Sequence, residues 1–585
     1  MFKLKYNLFL FFLFGIFLTT KATHNRAGEI TYKWLFGYTY EIKVTTYTNI
    51  GGTNLADRCE DTVYFGDGTR AVVLRSNGST GICAPAKDGV PLNATVKLNE
   101  YITTHTYAGP GNYIISMEDP NRNNGVINIP NSINQSFYIE SLLVIPTFGS
   151  GNNNSPILSF LPIDNGCVSQ CFFHNPGAYD IDGDSISYEL TNCKGSQGLI
   201  CPGYTLPSSG GGTLEIDSLT GTLTWCNPQF QGLYNFAIII KEWRLDNSGS
   251  YSMIGYIIRD MQIDIGNCNN VPPHITFSNI DTCILVGTTL TNTINANDTN
   301  GDIISLYANG NSFITNSNPS TFISIPGDST VSGTYNWSTD STHIRRLPYQ
   351  VTLKVIDNNP SISLTHFKTF NVKILPYPPN NLSTTASIDT ITLKWNKPSS
   401  FLLSGINKFT RYRIYRKTGM STWIHNYNET VPPANTGFVF VGYSGNNIND
   451  TLFYDHNIGS AFISGQVYSY VVLAEYTDGT TSYVSNISST QAIVGLEEID
   501  LLKNINLYPN PTNNFLNISF YHNNQDLIAV ELFDITGKNI KKISNDIKNM
   551  TLTTFTIALG DLVPGVYVLK IIGTNNSVTK KIIKQ

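Results

Sequence analysis

Asp180-Ile-Asp182-Gly-Asp184-Ser-Ile-Ser-Tyr188 opens a series that continues with Gly221-Thr-Leu-Thr-Trp225 and Tyr234-Asn-Phe-Ala-Ile-Ile-Ile240. The series then returns as Asn297-Asp298-Thr-Asn300-Gly-Asp302-Ile-Ile-Ser305, Gly333-Thr-Tyr-Asn-Trp337 and Tyr349-Gln-Val-Thr-Leu-Lys-Val355. Asp182 and Asn300 lie 118 residues apart, and Trp225 and Trp337 lie 112 apart. Matching order at nearly constant spacing marks a tandem repeat. Alternation of apolar and polar residues recurs within these segments, the pattern of a half-buried strand, and no stretch sustains a helical period. The fold class this predicts is all-β, built as tandem β-sandwich domains.

Composition agrees. The chain has 585 residues, too many for one core. Aromatics make up 12%, and 47 Gly and 27 Pro break the chain often, a mix that suits many short strands with frequent turns. Charged residues are only 14% and the net charge is −5, so nothing pulls the chain toward nucleic acid or an anionic membrane.

Residues 1–22 read as a secretory signal peptide: Lys3 and Lys5 are basic, Leu8 to Leu18 is apolar, and Thr20-Lys21-Ala22 offers small residues for cleavage. The apolar run falls well short of the ~20 residues of a spanning helix, so the mature chain is expected to have no transmembrane segment. All nine cysteines lie between Cys59 and Cys283. In an exported chain they read as disulfides, with at least one bond expected among the five from Cys167 to Cys226 and an odd thiol left over. Cys167, Cys171 and His174 could instead be metal ligands, but their spacing fits no tight zinc pattern.

Five units follow the signal. In the first, 23–148, Asp61-Thr-Val-Tyr-Phe-Gly-Asp-Gly-Thr69 reads as strand, turn, strand, with Asp67-Gly68 suited to a hairpin turn. Thr104-His-Thr-Tyr107 then leads through Gly109-Pro-Gly111 to Tyr113-Ile-Ile-Ser-Met117. Together these resemble the PKD family of immunoglobulin-like sandwiches. Ala22-Thr-His-Asn-Arg-Ala-Gly-Glu-Ile-Thr-Tyr32 is similar to the opening of large surface proteins of gliding bacteria. The repeated units, 149–270 and 271–375, resemble the cadherin-like sandwiches of bacterial surface proteins, in which D-x-D-G-D opens a strand.

The fourth unit, 377–492, follows the stiff Pro376-Tyr-Pro-Pro379. Ile391-Thr-Leu-Lys-Trp395, Tyr412-Arg-Ile-Tyr-Arg416 and Gly465-Gln-Val-Tyr-Ser-Tyr-Val-Val-Leu-Ala474 resemble a fibronectin type III domain. The resemblance makes Trp395 the core Trp and Tyr468 the tyrosine corner. With no Arg-Gly-Asp present, it implies a scaffold and no particular ligand.

The last unit, 504–585, holds Asn506-Leu-Tyr508-Pro509-Asn510-Pro511, then Val530-Glu-Leu-Phe-Asp-Ile-Thr-Gly537, then Leu562-Val-Pro564-Gly565-Val-Tyr567-Val-Leu-Lys-Ile571. It resembles the C-terminal sorting domain of the type IX secretion system, a small β-sandwich. The resemblance implies that Tyr508, Pro509, Asn510, Pro511, Gly537, Pro564, Gly565 and Tyr567 carry the sorting signal, and that the partner is the secretion machinery. It also implies an address outside the cell or on the outer surface of a Gram-negative bacterium.

No G-x-S-x-G, H-E-x-x-H, phosphate-binding or dinucleotide motif occurs. Asp180, Asp182 and Asp184 are the best candidates for site chemistry. Carboxylates spaced by one residue can converge on a hard cation such as calcium, and an Asp-rich turn before a strand gives the same pattern. For Asp298, Asn300 and Asp302 the plain turn is the better reading, because an amide replaces one carboxylate. The expected function is therefore non-catalytic: adhesion to, or binding of, an extracellular glycan or protein. The alternative is a secreted hydrolase with accessory sandwich modules.

Overall fold

The computed structural model describes residues 25–585 except 51–57, 148–150, 247–248, 278–280, 400–408, 425–429, 458–460, 495–504, 522–528, 545–551 and 573–576. The expected signal peptide, 1–22, lies outside the described residues. The regular structure among the described residues is almost entirely strand, and the helical pieces in it are 3-10 turns of three or four residues. The cause is visible in Thr330–Ser338. Its Val331, Gly333, Tyr335 and Trp337 are buried and the residues between them exposed, so one pleated face meets the core.

The chain forms two compact units, one of Met1–Thr385, Thr392–Asp455 and Val467–Thr490, the other of Ala386–Ile391, His456–Gln466 and Gln491–Gln585. In the first unit, a twelve-stranded sheet crosses the boundary expected at 148/149. Its long strand Tyr251–Gly266 pairs antiparallel with Phe137–Ile145 around Ile257↔Ser141 and with Asn25–Phe36 at Ala27↔Met261. The same strand pairs with Gly232–Leu245 over nearly its whole length. Residues 25–147 and 151–266 thus share one backbone ladder, and Ala27, Tyr47 and Val96 of the first half pack into the core of the second. Ile30, Tyr40, Ile42, Ile115 and Leu143 center one core, and Phe172, Trp225, Phe236 and Ile263 the other.

Buried ion pairs fasten the two halves. Arg122 donates to both Asp260 oxygens, at 2.9 and 2.6 Å, and Asn235 donates to the same carboxylate. Burial works against the Arg122 charge, but the Asp260 carboxylate outweighs it and raises the guanidinium pKa. Arg259 pairs with Glu29 at 3.1 Å, also out of solvent.

Residues 274–375 form two facing sheets, one carrying Thr289–Asn297 beside Thr330–Ser338, the other carrying Ile303–Gly310, Tyr349–Asp357 and Thr365–Leu375. In the fourth expected domain, Val439–Ser444, Phe409–Thr418, Val467–Tyr476 and Ser488–Gln491 make one sheet. Trp395 is buried against the edge of Tyr412, ring centroids 5.1 Å apart.

In the second unit, Asn506–Tyr508, Phe515–Tyr521 and Leu552–Ala558 form one sheet, and Asn539–Ser544, Ala529–Asp534, Gly565–Ile572 and Ser577–Lys584 the other. Leu516, Ile518, Leu532, Leu569 and Ile582 fill the space between them.

The nine cysteines yield three disulfides: Cys59–Cys83, Cys167–Cys268 and Cys171–Cys226. The last lies wholly within the 167–226 window, as expected. These bonds remove Cys167 and Cys171 as metal ligands.

Candidate functional site

The surface turns of residues 506–585 explain their composition. Tyr508 ends its strand half-exposed, and Pro509, Asn510 and Pro511 are exposed. Asn510 donates from Nδ2 to the Lys581 carbonyl at 2.8 Å and accepts the Ile583 amide on Oδ1 at 2.8 Å. Thr512 continues the contact, its amide donating to the Ile583 carbonyl. The turn therefore covers the outer edge of the last strand, Ser577–Lys584, with prolines that have no amide to offer a further strand. Gly537 sits at φ +84°, where only glycine is unstrained, in a turn whose Asp534 carboxylate gathers the Thr536 and Lys538 amides. Exposed Pro564 and Gly565 lead into the strand whose Tyr567 is buried, its hydroxyl donating to the Val563 carbonyl at 2.9 Å. Of the expected signal residues, only Tyr567 belongs to the core.

In the first unit, Asp180, Asp182 and Asp184 come together as the spacing suggests, with ligand atoms within 4.8 Å of one another. Gly183 at φ +87° lets the Asp184 amide fold back onto Asp180 Oδ1 at 2.7 Å. Sequence reading missed what surrounds them. Arg244 grips Asp184 through Nε at 2.9 Å and through Nη2, and approaches Asp182 at 4.0 Å. Asn154 donates to Asp182 from its backbone and its side chain. Asp180 is buried, and burial, followed by the neighbouring Asp184 and Asp182 charges, pushes it up to about 6. Buried Glu242 is pushed well above the usual carboxyl range, by burial first and then by Asp180. The loop is a salt-bridged turn backed by a carboxyl pair, and Arg244 already meets the charge a cation would meet. Glu242-Trp-Arg244, a pair of opposite charges closing an apolar strand, was the available signal.

The repeated loop differs. Asp298 Oδ1 accepts the Asn300, Gly301 and Asp302 amides, the same turn. Asn300 faces away and accepts the Val271 amide at 3.0 Å. Asp357 takes its place, so that Asp298, Asp302 and Asp357 lie within 4.8 Å. Asp298 Oδ2 is buried without a hydrogen-bond partner, and among the described residues no ion pair reaches any of the three. Burial first, then Asp298, raise the Asp357 pKa. Asp357-Asn-Asn-Pro360, a turn signal after a strand, was the hint that distance along the chain concealed.

Two arrangements approach catalytic form. Asp164 holds His174 Nδ1 at 2.8 Å and the Lys354 ammonium at 2.6 Å. Burial lowers the His174 pKa, and Lys354 overcomes burial to hold Asp164 ionised. All of His174 is sealed from solvent, so the triad pins 271–375 to the preceding repeat instead of meeting a substrate. The second is a cleft of about 1200 Å³, bordered by the Asp180–Asp184 loop with Arg244, by His343, Arg345 and Arg346, and by Arg411, Arg413, Glu475 and Asp478. Three expected domains meet there. The Arg346 amide donates to Asp478 at 2.9 Å, its side chain reaches the Tyr251 hydroxyl, and Arg411 pairs with Glu475 at 2.7 Å. The walls carry charges of both signs set among apolar side chains.

These features describe an all-β chain of sandwich modules ending in a compact C-terminal unit. Residues 506–585 match the family described as the secretion system C-terminal sorting domain. The match marks the chain for type IX secretion, so it is secreted or displayed at the cell surface and meets the secretion machinery on the way. No curated relative matches the sequence. Among solved structures it is similar to domains A168–A170 of titin at 14% identity, covering 58% of this chain and 99% of that one, TM-score 0.19. The fibronectin(III)-like modules of Clostridium thermocellum CbhA align at 13% identity over 38% of this chain and 93% of theirs, TM-score 0.17. Cadherin-like domains 1 to 4 of zebrafish RET align at 11% over 76% and 95%, TM-score 0.14. No helix among the described residues is long and apolar enough to cross a membrane.

Proposed function

We propose that this is a non-catalytic binding protein of the outer surface of a Gram-negative bacterium, or of its surroundings, that adheres to a glycan or protein through its sandwich modules. The observation that carries the reading is the cleft, with charges of both signs, where three expected modules upstream of a sorting domain meet. A mixed-sign, arginine-rich wall suits a ligand with hydroxyls and carboxylates. The modules keep the PKD-like, cadherin-like and fibronectin-like readings given by their motifs. The acidic side chains near the cleft do not offer a free acid–base pair: Asp184 is held by Arg244, Asp182 by Asn154, and Asp180 is buried.

Calcium belongs to the same reading as a brace and not as a reagent. Of the two acidic loops, Asp298, Asp302 and Asp357 favour a hard cation more than Asp180, Asp182 and Asp184 do, because no base among the described residues pairs with them, while both loops hold a buried carboxylate oxygen without a partner, Asp298 Oδ2 and Asp180 Oδ2.

Two measurements test the proposal. Deleting 504–585 should leave the protein in the periplasm, and its appearance at the surface would refute the sorting role. The full secreted protein, screened against glycans and whole cells, should bind, with Arg345→Ala and Arg411→Ala weakening the interaction. Turnover of a glycan or peptide in that screen would replace this reading by the hydrolase.

A further inference from the structure

Three cysteines remain outside the disulfides: Cys193, Cys201 and Cys283. Two of them face each other. The Cys201 amide donates to the Cys193 carbonyl at 3.0 Å, the Gly195 amide donates to the Leu199 carbonyl, and Lys194 and Ile200 form an antiparallel bridge between them. In that register Cys193 and Cys201 are directly opposed, and opposed residues of an antiparallel ladder have Cα atoms about 4.5–5.5 Å apart. This lies inside the range of about 4.4–6.8 Å that a disulfide spans. Directly opposed residues of an antiparallel ladder send their side chains to the same face. Both side chains enter one small core, with Val126, Ile129, Ala237 and Ile258, and neither is more than 1% exposed. Cys171 and Cys226 are also opposed across an antiparallel ladder, though without a direct backbone bond between them, and they are bonded through sulfur.

We infer that Cys193 and Cys201 close a fourth disulfide in the exported protein. Two S–H bonds break and one S–S bond forms. The two protons and two electrons pass to the disulfide of a thiol–disulfide oxidant, which leaves as its dithiol. The exchange comes before the hairpin packs, because the folded core shuts out any second protein. Burial also raises both thiol pKa values, so the packed thiols are poor nucleophiles. The bond has a structural target. The carbonyl of Lys194, next to Cys193 in the hairpin, accepts from Arg122, the partner of buried Asp260. The hairpin is therefore the lid on the ion pair that fastens the two halves of the long sheet, and the disulfide holds the lid shut. Cys283 is then the odd thiol that nine cysteines require.

The test uses the full secreted protein, alkylated in denaturant without reduction. Cleavage after Glu189 and Glu215 releases residues 190–215, which contain Cys193 and Cys201 and no other cysteine. Further cleavage after Lys194 should leave 190–194 and 195–215 joined, unalkylated, and separable only by reductant. Two separate alkylated pieces would overturn the inference, and so would either piece joined to a peptide carrying another cysteine.

Discussion

The two acidic loops begin as copies and end as opposites. In both, the first Asp accepts the amide four residues on, around a glycine at positive φ, 87° in each. The turn is therefore set locally. The charge environment is not: Arg244 and Glu242 come from the strand Gly232–Leu245, and Asp357 from the end of Tyr349–Asp357. One loop is neutralised by a guanidinium, while the other gathers three carboxylates with none. A repeated motif thus preserves a backbone shape, while strands far along the chain decide whether its carboxylates meet a base or one another.

The sharpest contrast to that difference is the tryptophan each copy keeps. Trp225 and Trp337 are fully buried, edge-on to Tyr234 and Tyr349 at 4.9 and 4.7 Å. Trp225→Ala and Trp337→Ala should each cost about 3–5 kcal/mol in denaturant unfolding. Strongly unequal losses would show that the copies differ in their cores as well as their loops.

Arg244→Ala should cost about 3 kcal/mol, the low end for a broken buried pair, because the guanidinium keeps some solvent contact. The same variant should gain a calcium-dependent rise in melting temperature that depends on Asp182 and Asp184. If calcium does nothing to it, Arg244 is not what keeps the loop free of a cation.

Calcium should raise the melting temperature of the unaltered protein, by ~2.7 kcal/mol of stability at a hundred times Kd. Asp357→Asn should abolish the rise, and Asp182→Asn should leave it intact. The reverse result would move the cation to the loop that Arg244 occupies.

The smallest effect concerns pH. Asp180 rises from 3.8 to about 6 on folding, and Glu242 rises as well. The folded state then holds more protons than the unfolded one between those values, so stability from this pair is greatest below pH about 4 and is lost as pH rises through about 6. Glu242→Gln should flatten that slope and stabilise the protein at neutral pH by about 1–2 kcal/mol, by removing a like-charge contact. An unchanged slope in thermal melts from pH 4 to 7 would mean the carboxyls titrate independently.

Much of this architecture was legible in the residues. Thr330–Ser338 alternates without a break, and the turns at Gly183, Gly301 and Gly537 announce themselves, because both signals are local. The Tyr508-Pro-Asn-Pro511 turn was legible as a signature, though its role as an edge cover was not. Partnership stayed hidden. Nothing in Tyr251–Gly266 says that it pairs with Asn25–Phe36, since an alternating strand reads the same beside any neighbour. Asp357 was invisible for the same reason, and so was the joining of Cys167 to Cys268.

That long strand also sets a timetable. Ala27 is among the first described residues, yet its ladder partner is Met261. Until Tyr251–Gly266 has been made, Ala27 and Gly28 lack their ladder partners on that side of Asn25–Phe36. An uncovered edge invites pairing with other chains, and closing so long a loop is slow. The first core is made of residues 30–145 alone, so the late strand sets when the two halves join and not when the first one packs.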